Sequence, residues 1–108
     1  MLEKCKTFAR INIDYYIIIG LIQTESNFNS EAKNKYSGCY GLLQLHPLYF
    51  PKNLSPKDNV IYGITTLANK IDRYDGDIEA ALTAYSVGYD DGSRYYANKV
   101  LENAKNWK

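Results

Sequence analysis

Glu25 is the residue whose surroundings in the sequence best suit acid catalysis. Six of the eight residues at positions 17–24 are apolar or Gly, so the segment leading to this glutamate is expected to be buried. Burial disfavours the charged form of a carboxyl group and raises its pKa. A glutamic acid that stays protonated near neutral pH can protonate a poor leaving group such as a glycosidic oxygen. The structural alternative is a solvent-exposed helix end, which often carries Glu, Ser and Asn.

Cys39 and His46 are the other residues that suggest chemistry. A Cys-His hydrolase also needs a third group that orients the histidine and a helix terminus that activates the thiol, and the sequence indicates neither. His46 precedes Pro47 and fits a turn or the rim of a cleft. One histidine and two scattered cysteines cannot supply a usual metal-ligand set, so we predict no metal and no cofactor. Cys5 and Cys39 could form a disulfide, which their spacing does not decide.

The composition is that of one globular domain. A chain of 108 residues can build a single core and is too short for two, so we assign residues 1–108 to one domain. No segment reaches the roughly 18 apolar residues of a membrane span. A net charge of +1 without a basic block argues against a nucleic-acid partner. Eleven tyrosines offer flat apolar faces with hydroxyl groups, which suit sugar rings.

Capping residues and helical periodicity predict a mainly α fold of about five to six helices. Asn12 is a predicted N-cap, with Asp14 in the first turn of a helix that runs to about Ser26. Ser55 followed by Pro56 begins a long helix that ends at residues 75–76.

Two later helices and several short segments complete the predicted fold. Asp77 caps a helix that reaches about residue 85, and Ser93 caps a last helix over residues 94–107. Residues 1–10 are expected to form a short helix, and Phe28 to anchor the following loop in the core. A turn of helix is expected at residues 30–32, and a small extended or irregular segment near residues 38–46.

Four short motifs occur along the chain in a fixed order. They are Glu25-Ser26 with Phe28-Asn29, Gly41-Leu42-Leu43-Gln44, Ala84-Tyr85-Ser86-Val87-Gly88 and Tyr96-Ala97-Asn98-Lys99-Val100. This order, with a capped helix between the second and third motifs, resembles the lysozyme-like catalytic domain of soluble lytic transglycosylases, which are relatives of goose-type lysozyme. The resemblance covers residues 10–104 and implies a lysozyme-like domain.

Three positions depart from the pattern of that family. Leu43 stands where the family has Met, and Ala97 where it has Val, both small changes of apolar volume. Ser86 stands where the family has Asn, so the hydrogen bond that the amide would make to substrate is in doubt. Either Asn34 or Ser37 could fill the polar contact expected between the first two motifs.

The resemblance implies an enzyme that acts on the glycan strands of peptidoglycan. In such an enzyme, Glu25 would protonate the oxygen between N-acetylmuramic acid and N-acetylglucosamine. It would then take the proton of the muramyl 6-hydroxyl, giving a 1,6-anhydro end. A hydrolytic glycosidase normally needs two carboxylates, whereas no Asp or Glu occurs at positions 33–57. Asp90 or Asp91 could still approach Glu25 in the fold.

The implied substrate contacts come from the last three motifs and from the segment between the first two. They are Gln44, Leu43, Asn34, Tyr85, Ser86 and Tyr96, with Tyr96 also expected to orient Glu25. A hydrolytic muramidase acting on the same bond and a silent peptidoglycan-binding module are the alternatives.

The beginning of the sequence bears on where such an enzyme would act. Residues 1–5 include charges and no long apolar run, so we expect no secretory signal in this chain. We therefore expect action at the bacterial cell wall, after delivery by a phage or as part of a larger exported protein. The domain would act as a monomer or as a module of a longer chain.

Overall fold

A computed structural model describes residues 13–108 of the chain. Four α-helices lie within this part: α1 (Tyr15–Ser26), α2 (Pro56–Arg73), α3 (Ile78–Val87) and α4 (Tyr95–Lys105). The mainly helical class is confirmed, but the described helices are fewer than the predicted five to six. The helix predicted for residues 1–10 lies outside the described residues. None of the four described helices has the length and apolar character that crossing a bilayer requires.

Helix α1 begins two residues later than the sequence predicted. Asp14 is its N-cap, because the Asp14 side chain accepts a hydrogen bond from the N–H of Tyr16. The predicted cap, Asn12, lies outside the described residues, and Asp14 is a cap rather than a first-turn residue. Asn and Asp both accept hydrogen bonds from free N–H groups at a helix start. The sequence alone therefore did not distinguish Asn12 from Asp14 as the N-cap, and the predicted cap was wrong.

The starts of α2 and α3 follow their sequence signals. Ser55 accepts a hydrogen bond from the N–H of Asp58 at 3.1 Å, and Pro56 occupies the first turn of α2. Asp77 accepts from the N–H of Ala80 at 3.1 Å at the start of α3. Gly76, between the two helices, has a φ of 87°, a conformation that glycine adopts without a steric penalty.

Helix α4 lacks the predicted serine cap. Its N-cap position is Arg94, which makes no side-chain capping bond. The Ser93 carbonyl instead accepts from the Thr83 hydroxyl at 2.7 Å, and its N–H donates to Asp91 at 2.9 Å. Ser93 therefore connects the loop before α4 to α3. This role depends on a contact with Thr83, ten residues earlier, and leaves no local sequence signal.

The core is formed where all four helices meet. Its fully buried large side chains include Leu21, Leu43, Leu67, Leu82 and Val100. Each such leucine contributes about 1.5–3 kcal/mol through burial of apolar surface. Helices α1 and α4 cross closely at Gly20, where an added Cβ would lie 2.5 Å from the Val100 carbonyl oxygen. The crossing brings the last turn of α1 against α4.

A small irregular ribbon, residues 33–45, precedes α2 in the chain. Antiparallel bridges pair Lys33 with Tyr40 and Tyr40 with Leu45, which confirms an extended or irregular segment near residues 38–46. The turn of helix predicted at residues 30–32 is a hydrogen-bonded turn, closed by the Ala32 N–H and the Asn29 carbonyl at 3.1 Å.

Phe28 does not anchor its loop in the core, contrary to the sequence-based expectation. Its side chain is 46% exposed, and its ring meets Trp107 edge to face with centroids 5.6 Å apart. Asn27 and Phe28 both have positive φ angles, 51° and 64°. These two left-handed residues turn the chain away from the core directly after α1.

Candidate active site

Glu25 lies in the last turn of α1 and is half-buried. Its neighbours are held by the helix itself, because the Thr24 hydroxyl donates to the Gly20 carbonyl at 2.7 Å and the Ser26 hydroxyl to the Ile22 carbonyl at 3.1 Å. The hydroxyl groups of Thr24 and Ser26 therefore have their hydrogen-bond acceptors within α1. Ser26 is bonded as a helix-end residue.

Tyr96 of α4 contacts the Glu25 carboxyl group directly. The Tyr96 hydroxyl donates to Glu25 Oε1 at 2.6 Å. Burial raises the pKa of Glu25, and the hydrogen bond from Tyr96 opposes that rise because it favours the charged form. Burial also raises the pKa of Tyr96, with the Glu25 charge as the next cause. Tyr96 is therefore a neutral donor that fixes one carboxyl oxygen.

Tyr85 links α3 to the loop that carries the second motif. Its hydroxyl donates to the Leu43 carbonyl at 2.8 Å. Burial raises the pKa of Tyr85, followed by the charges of Glu25 and Cys39. The phenol of Tyr85 thus lies close enough to Glu25 to sense its charge, and three separate helices contribute to the neighbourhood of one carboxyl group.

Asn59 of α2 holds the loop of residues 40–43 in place. It is 1% exposed. Its side-chain oxygen accepts from the Leu43 N–H at 2.8 Å, and its side-chain nitrogen donates to the Tyr40 carbonyl at 3.0 Å. Gly41 has a φ of 86° and no room for a Cβ, which would lie 2.2 Å from the Asn59 amide nitrogen. Both the glycine and the asparagine are thus required by this loop geometry.

Asn59 had no predicted role, although its position in the sequence carries a signal. Asn59, Gly63 and Leu67 are four residues apart and share one face of α2, and all three are buried. A polar residue on the apolar face of a helix needs a hydrogen-bond partner, so its position alone could have marked it as a residue that binds a backbone loop.

Gln44 uses its amide nitrogen within the protein. Nε2 donates to the Ala32 carbonyl at 3.1 Å and to the Gly41 carbonyl at 3.0 Å. The residue is half-buried and has a φ of 51°, so a non-glycine residue is held here in a left-handed conformation. Because the nitrogen is committed, the carbonyl oxygen Oε1 is the group that Gln44 can offer to a ligand.

The other predicted contacts occupy different environments. Asn34 is exposed, and its side-chain oxygen accepts from the N–H groups of Tyr36 at 2.8 Å and Ser37 at 3.0 Å, so it builds the turn of the ribbon. Ser86 is exposed at the end of α3. Leu43 is fully buried. Its side chain offers no surface to a substrate and packs the core instead, which corrects its assignment as a contact.

Cys39 and His46 do not form the geometry of a nucleophile and its base. His46 Nδ1 accepts a hydrogen bond from the Leu48 N–H at 3.1 Å, and so shapes a turn. Cys39 is half-buried and forms no disulfide within residues 13–108, and Cys5 lies outside the described residues, so the Cys5–Cys39 disulfide stays an open alternative. No group of three or more potential metal ligands occurs among residues 13–108.

The two carboxylates considered as partners of Glu25 are engaged elsewhere. Asp90 forms an ion pair with Arg94 at 2.7 Å, and this hydrogen bond lowers the pKa of Asp90. Asp91 accepts from the Ser93 N–H at 2.9 Å. Both residues therefore stabilise the loop between α3 and α4.

The chain is similar to proteins of a known family. The family model described as the transglycosylase SLT domain matches residues 6–108. A protein named transglycosylase from Enterobacteria phage PRD1 is 32% identical over 105 residues, which cover 88% of this chain and 39% of the phage protein. The chain thus spans about two fifths of the length of that relative. No solved structure matches this chain. Because the family model spans almost the whole sequence, the chain belongs to the transglycosylase SLT domain family, the lysozyme-like lytic transglycosylases.

Proposed function

We propose that this chain is a peptidoglycan lytic transglycosylase that cleaves the β-1,4 bond between N-acetylmuramic acid and N-acetylglucosamine. Glu25 serves as the only acid and base. The observation that carries the proposal is the Glu25 carboxyl group itself: it is half-buried at a helix end, its pKa is raised by burial, and Tyr96 holds one of its oxygens. These are the properties of a carboxylic acid that must give up a proton near neutral pH.

In the first half of the reaction, Glu25 protonates the glycosidic oxygen and the bond from C1 of the muramyl sugar to that oxygen breaks. Oε1 accepts the hydrogen bond from Tyr96, so the transferable proton is carried by Oε2. Holding the carboxyl group in one orientation favours transfer, because the proton and the leaving oxygen must be within hydrogen-bond reach.

In the second half, the muramyl 6-hydroxyl attacks C1 and gives its proton back to Glu25. The products are an N-acetylglucosamine 4-hydroxyl and a 1,6-anhydromuramyl end, and no water is consumed. The starting protonation state of Glu25 is restored. Asp90 is paired with Arg94, which supports a reaction that runs without a second carboxylate, whereas a hydrolase of the usual type needs one to activate water or to act as nucleophile.

Four further residues are proposed to line the substrate cleft. Gln44 presents its carbonyl oxygen, since its nitrogen is bonded to two backbone carbonyls, and therefore accepts from a sugar hydroxyl or acetamido N–H. Tyr85 supports the floor through its bond to the Leu43 carbonyl. Asn34 and Ser86 are exposed, so their side chains are accessible to a polymer.

The site of action follows from this substrate. Peptidoglycan lies outside the cytoplasm, so the chain is proposed to work at the bacterial cell wall, delivered by a phage or as part of a larger exported protein. The similarity to a phage protein supports the first route.

Digestion of purified sacculi tests the proposal. Wild-type protein is expected to release muropeptides with anhydro ends, identified by mass spectrometry, and Glu25→Gln is expected to release at least about a hundredfold less while remaining folded. Glu102→Gln, which changes an exposed carboxylate on α4, is the matched control and should retain activity. Reducing ends from the wild type would identify a hydrolytic muramidase. Binding to sacculi without any release would identify a silent binding module.

A further inference from the structure

A cavity of about 490 Å³ lies beside the ribbon and is lined by none of Glu25, Tyr85 and Tyr96. Its walls come from residues 30–33, from Gly38 and Tyr40, and from the segment between the ribbon and α2. The volume is within the range of about 300–1,000 Å³ that small-molecule sites occupy. The cavity is therefore large enough for a ligand and separate from the candidate active site.

The cavity adjoins the loop that carries Gln44, one of the proposed substrate contacts. The Gln44 amide nitrogen donates to the Ala32 carbonyl at 3.1 Å, and Ala32 lines the cavity. Tyr40, which lines the cavity as well, directly precedes Gly41 of the same loop. The cavity wall and the Gln44 side chain are therefore joined by a hydrogen bond, which places the cavity beside the proposed substrate-binding loop.

The walls of the cavity are fixed by hydrogen bonds. The Tyr40 hydroxyl donates to the Pro51 carbonyl and accepts from the Leu54 N–H at 3.4 Å. The Gly41 N–H donates to the Ala32 carbonyl at 2.9 Å. These bonds join the three segments that surround the cavity, so a ligand would meet a largely preformed site and lose little binding free energy to loop ordering.

The charges of the lining are mixed. Lys33 and Lys52 contribute two ammonium groups, and Glu31 contributes a carboxylate. The ion pairs of residues 13–108 join Arg94 to Asp90 and Lys108 to Asp14, so neither lining lysine is paired with a carboxylate there. The lining also has apolar surface, from Ala32, Pro47, Leu54 and Pro56. This combination suits a short chain that carries more than one carboxylate, an amine and small apolar groups.

We propose that this cavity binds the peptide stem that branches from the muramyl sugars of peptidoglycan. The alanine methyl groups of the stem match the apolar surface of the cavity. Its carboxylates match Lys33 and Lys52, and the amine of its diamino acid matches Glu31. A stem of four residues reaches about 13 Å when extended. It can therefore extend into the cavity from a sugar that contacts Gln44, because the Gln44 amide is hydrogen-bonded to the cavity wall at 3.1 Å.

This inference rests on the proposed function for the identity of the ligand, but its test does not need catalysis. Glu25→Gln protein is titrated calorimetrically with a free stem tetrapeptide of L-Ala, D-Glu, a diamino acid and D-Ala. The added pair Lys33→Gln and Lys52→Gln is expected to weaken binding about tenfold, because charge-assisted hydrogen bonds are lost. The added pair Lys99→Gln and Lys105→Gln removes the same charge from exposed positions on α4 and should leave the affinity unchanged.

Three results would overturn the inference: no binding of the tetrapeptide, equal weakening by both pairs of substitutions, or displacement of the tetrapeptide by inorganic phosphate at the same concentration. In protein that retains Glu25, the cavity pair should raise KM on sacculi and leave it unchanged on glycan strands stripped of their stems. Wild-type protein that releases nothing from sacculi would refute the proposed function instead, and the titration would still report on the cavity.

Discussion

Two effects of opposite sign act on the Glu25 carboxyl group. Burial raises its pKa, and the hydrogen bond from Tyr96 lowers it. The sequence predicted the first effect, because an apolar run leads directly to Glu25, and the family resemblance placed Tyr96 beside it. The net direction depends on how deeply the carboxyl group is buried, which is determined by the packing of distant segments around α1.

Replacing Tyr96 by phenylalanine is expected to move the pH profile upward. The change removes the hydrogen bond that lowers the pKa of Glu25, so the acid form persists to higher pH and activity declines at higher pH than in the wild type. The rate at the optimum should fall about tenfold, because the carboxyl group loses its fixed orientation. Initial rates of sacculus solubilisation across pH measure both effects.

Tyr95→Phe is the matched control for this experiment, because Tyr95 is 79% exposed and its hydroxyl makes no hydrogen bond among residues 13–108. Its pH profile should coincide with that of the wild type. If the activity of Tyr96→Phe declined at the same pH as that of the wild type, or at a lower pH, the role assigned to this hydrogen bond would be contradicted.

Glu25→Gln is expected to be more stable than the wild type at neutral pH. The pKa of Glu25 is raised by folding, so its contribution to stability is complete below the unfolded value of about 4.3 and is lost as pH rises through the folded value. Glutamine stays neutral and avoids that loss. Melting temperatures measured from pH 4 to pH 8 should show a gap in favour of the variant that widens as pH rises.

The exposed substitution Glu102→Gln should show no such widening, since its carboxylate is solvated in both states. If Glu25→Gln melted at a lower temperature than the wild type at every pH, burial of the charged carboxylate would not destabilise the folded protein.

At the scale of the elements, the candidate site depends on a loop that has little regular structure. Gly41 and Gln44 both have positive φ angles, and the loop keeps this shape because Asn59, Tyr85 and the Gln44 amide bond its backbone. Two of these residues were singled out by their motifs, whereas Asn59 is one asparagine among several and was overlooked.

Asn59→Ala is expected to destabilise the protein by about 2–4 kcal/mol. The substitution removes two hydrogen bonds and leaves the Leu43 N–H and the Tyr40 carbonyl without these partners in a buried place. Urea denaturation measures the change. Asn69→Ala, at an exposed position of the same helix, should change stability by less than about 0.5 kcal/mol. Equal effects of the two substitutions would show that Asn59 does not hold the loop.

Local signals located the helices well, and their errors have physical causes. Ser55 and Asp77 cap their helices because capping involves only neighbouring residues. Ser93 and Phe28 were misassigned because their partners, Thr83 and Trp107, are distant in sequence. No local pattern encodes such a contact.

At the scale of the whole molecule, the neighbourhood of Glu25 is assembled from α1, the ribbon, α3 and α4. Residues as far apart as Glu25 and Tyr96 meet in one hydrogen bond. The order of the four motifs predicted this assembly, because it resembled that of a known family, and membership of that family is now shown. The cavity beside the ribbon had no counterpart in the motifs, since its lining residues are scattered over residues 30–56.

The central claim is that a single carboxyl group performs both proton transfers and that the sugar supplies its own nucleophile. Digestion of sacculi in water enriched in oxygen-18, followed by mass spectrometry of the new chain ends, tests it most directly. The account predicts anhydromuramyl ends without the heavy isotope. Oxygen-18 at C1 of the newly formed muramyl ends would contradict it and would identify water as the nucleophile.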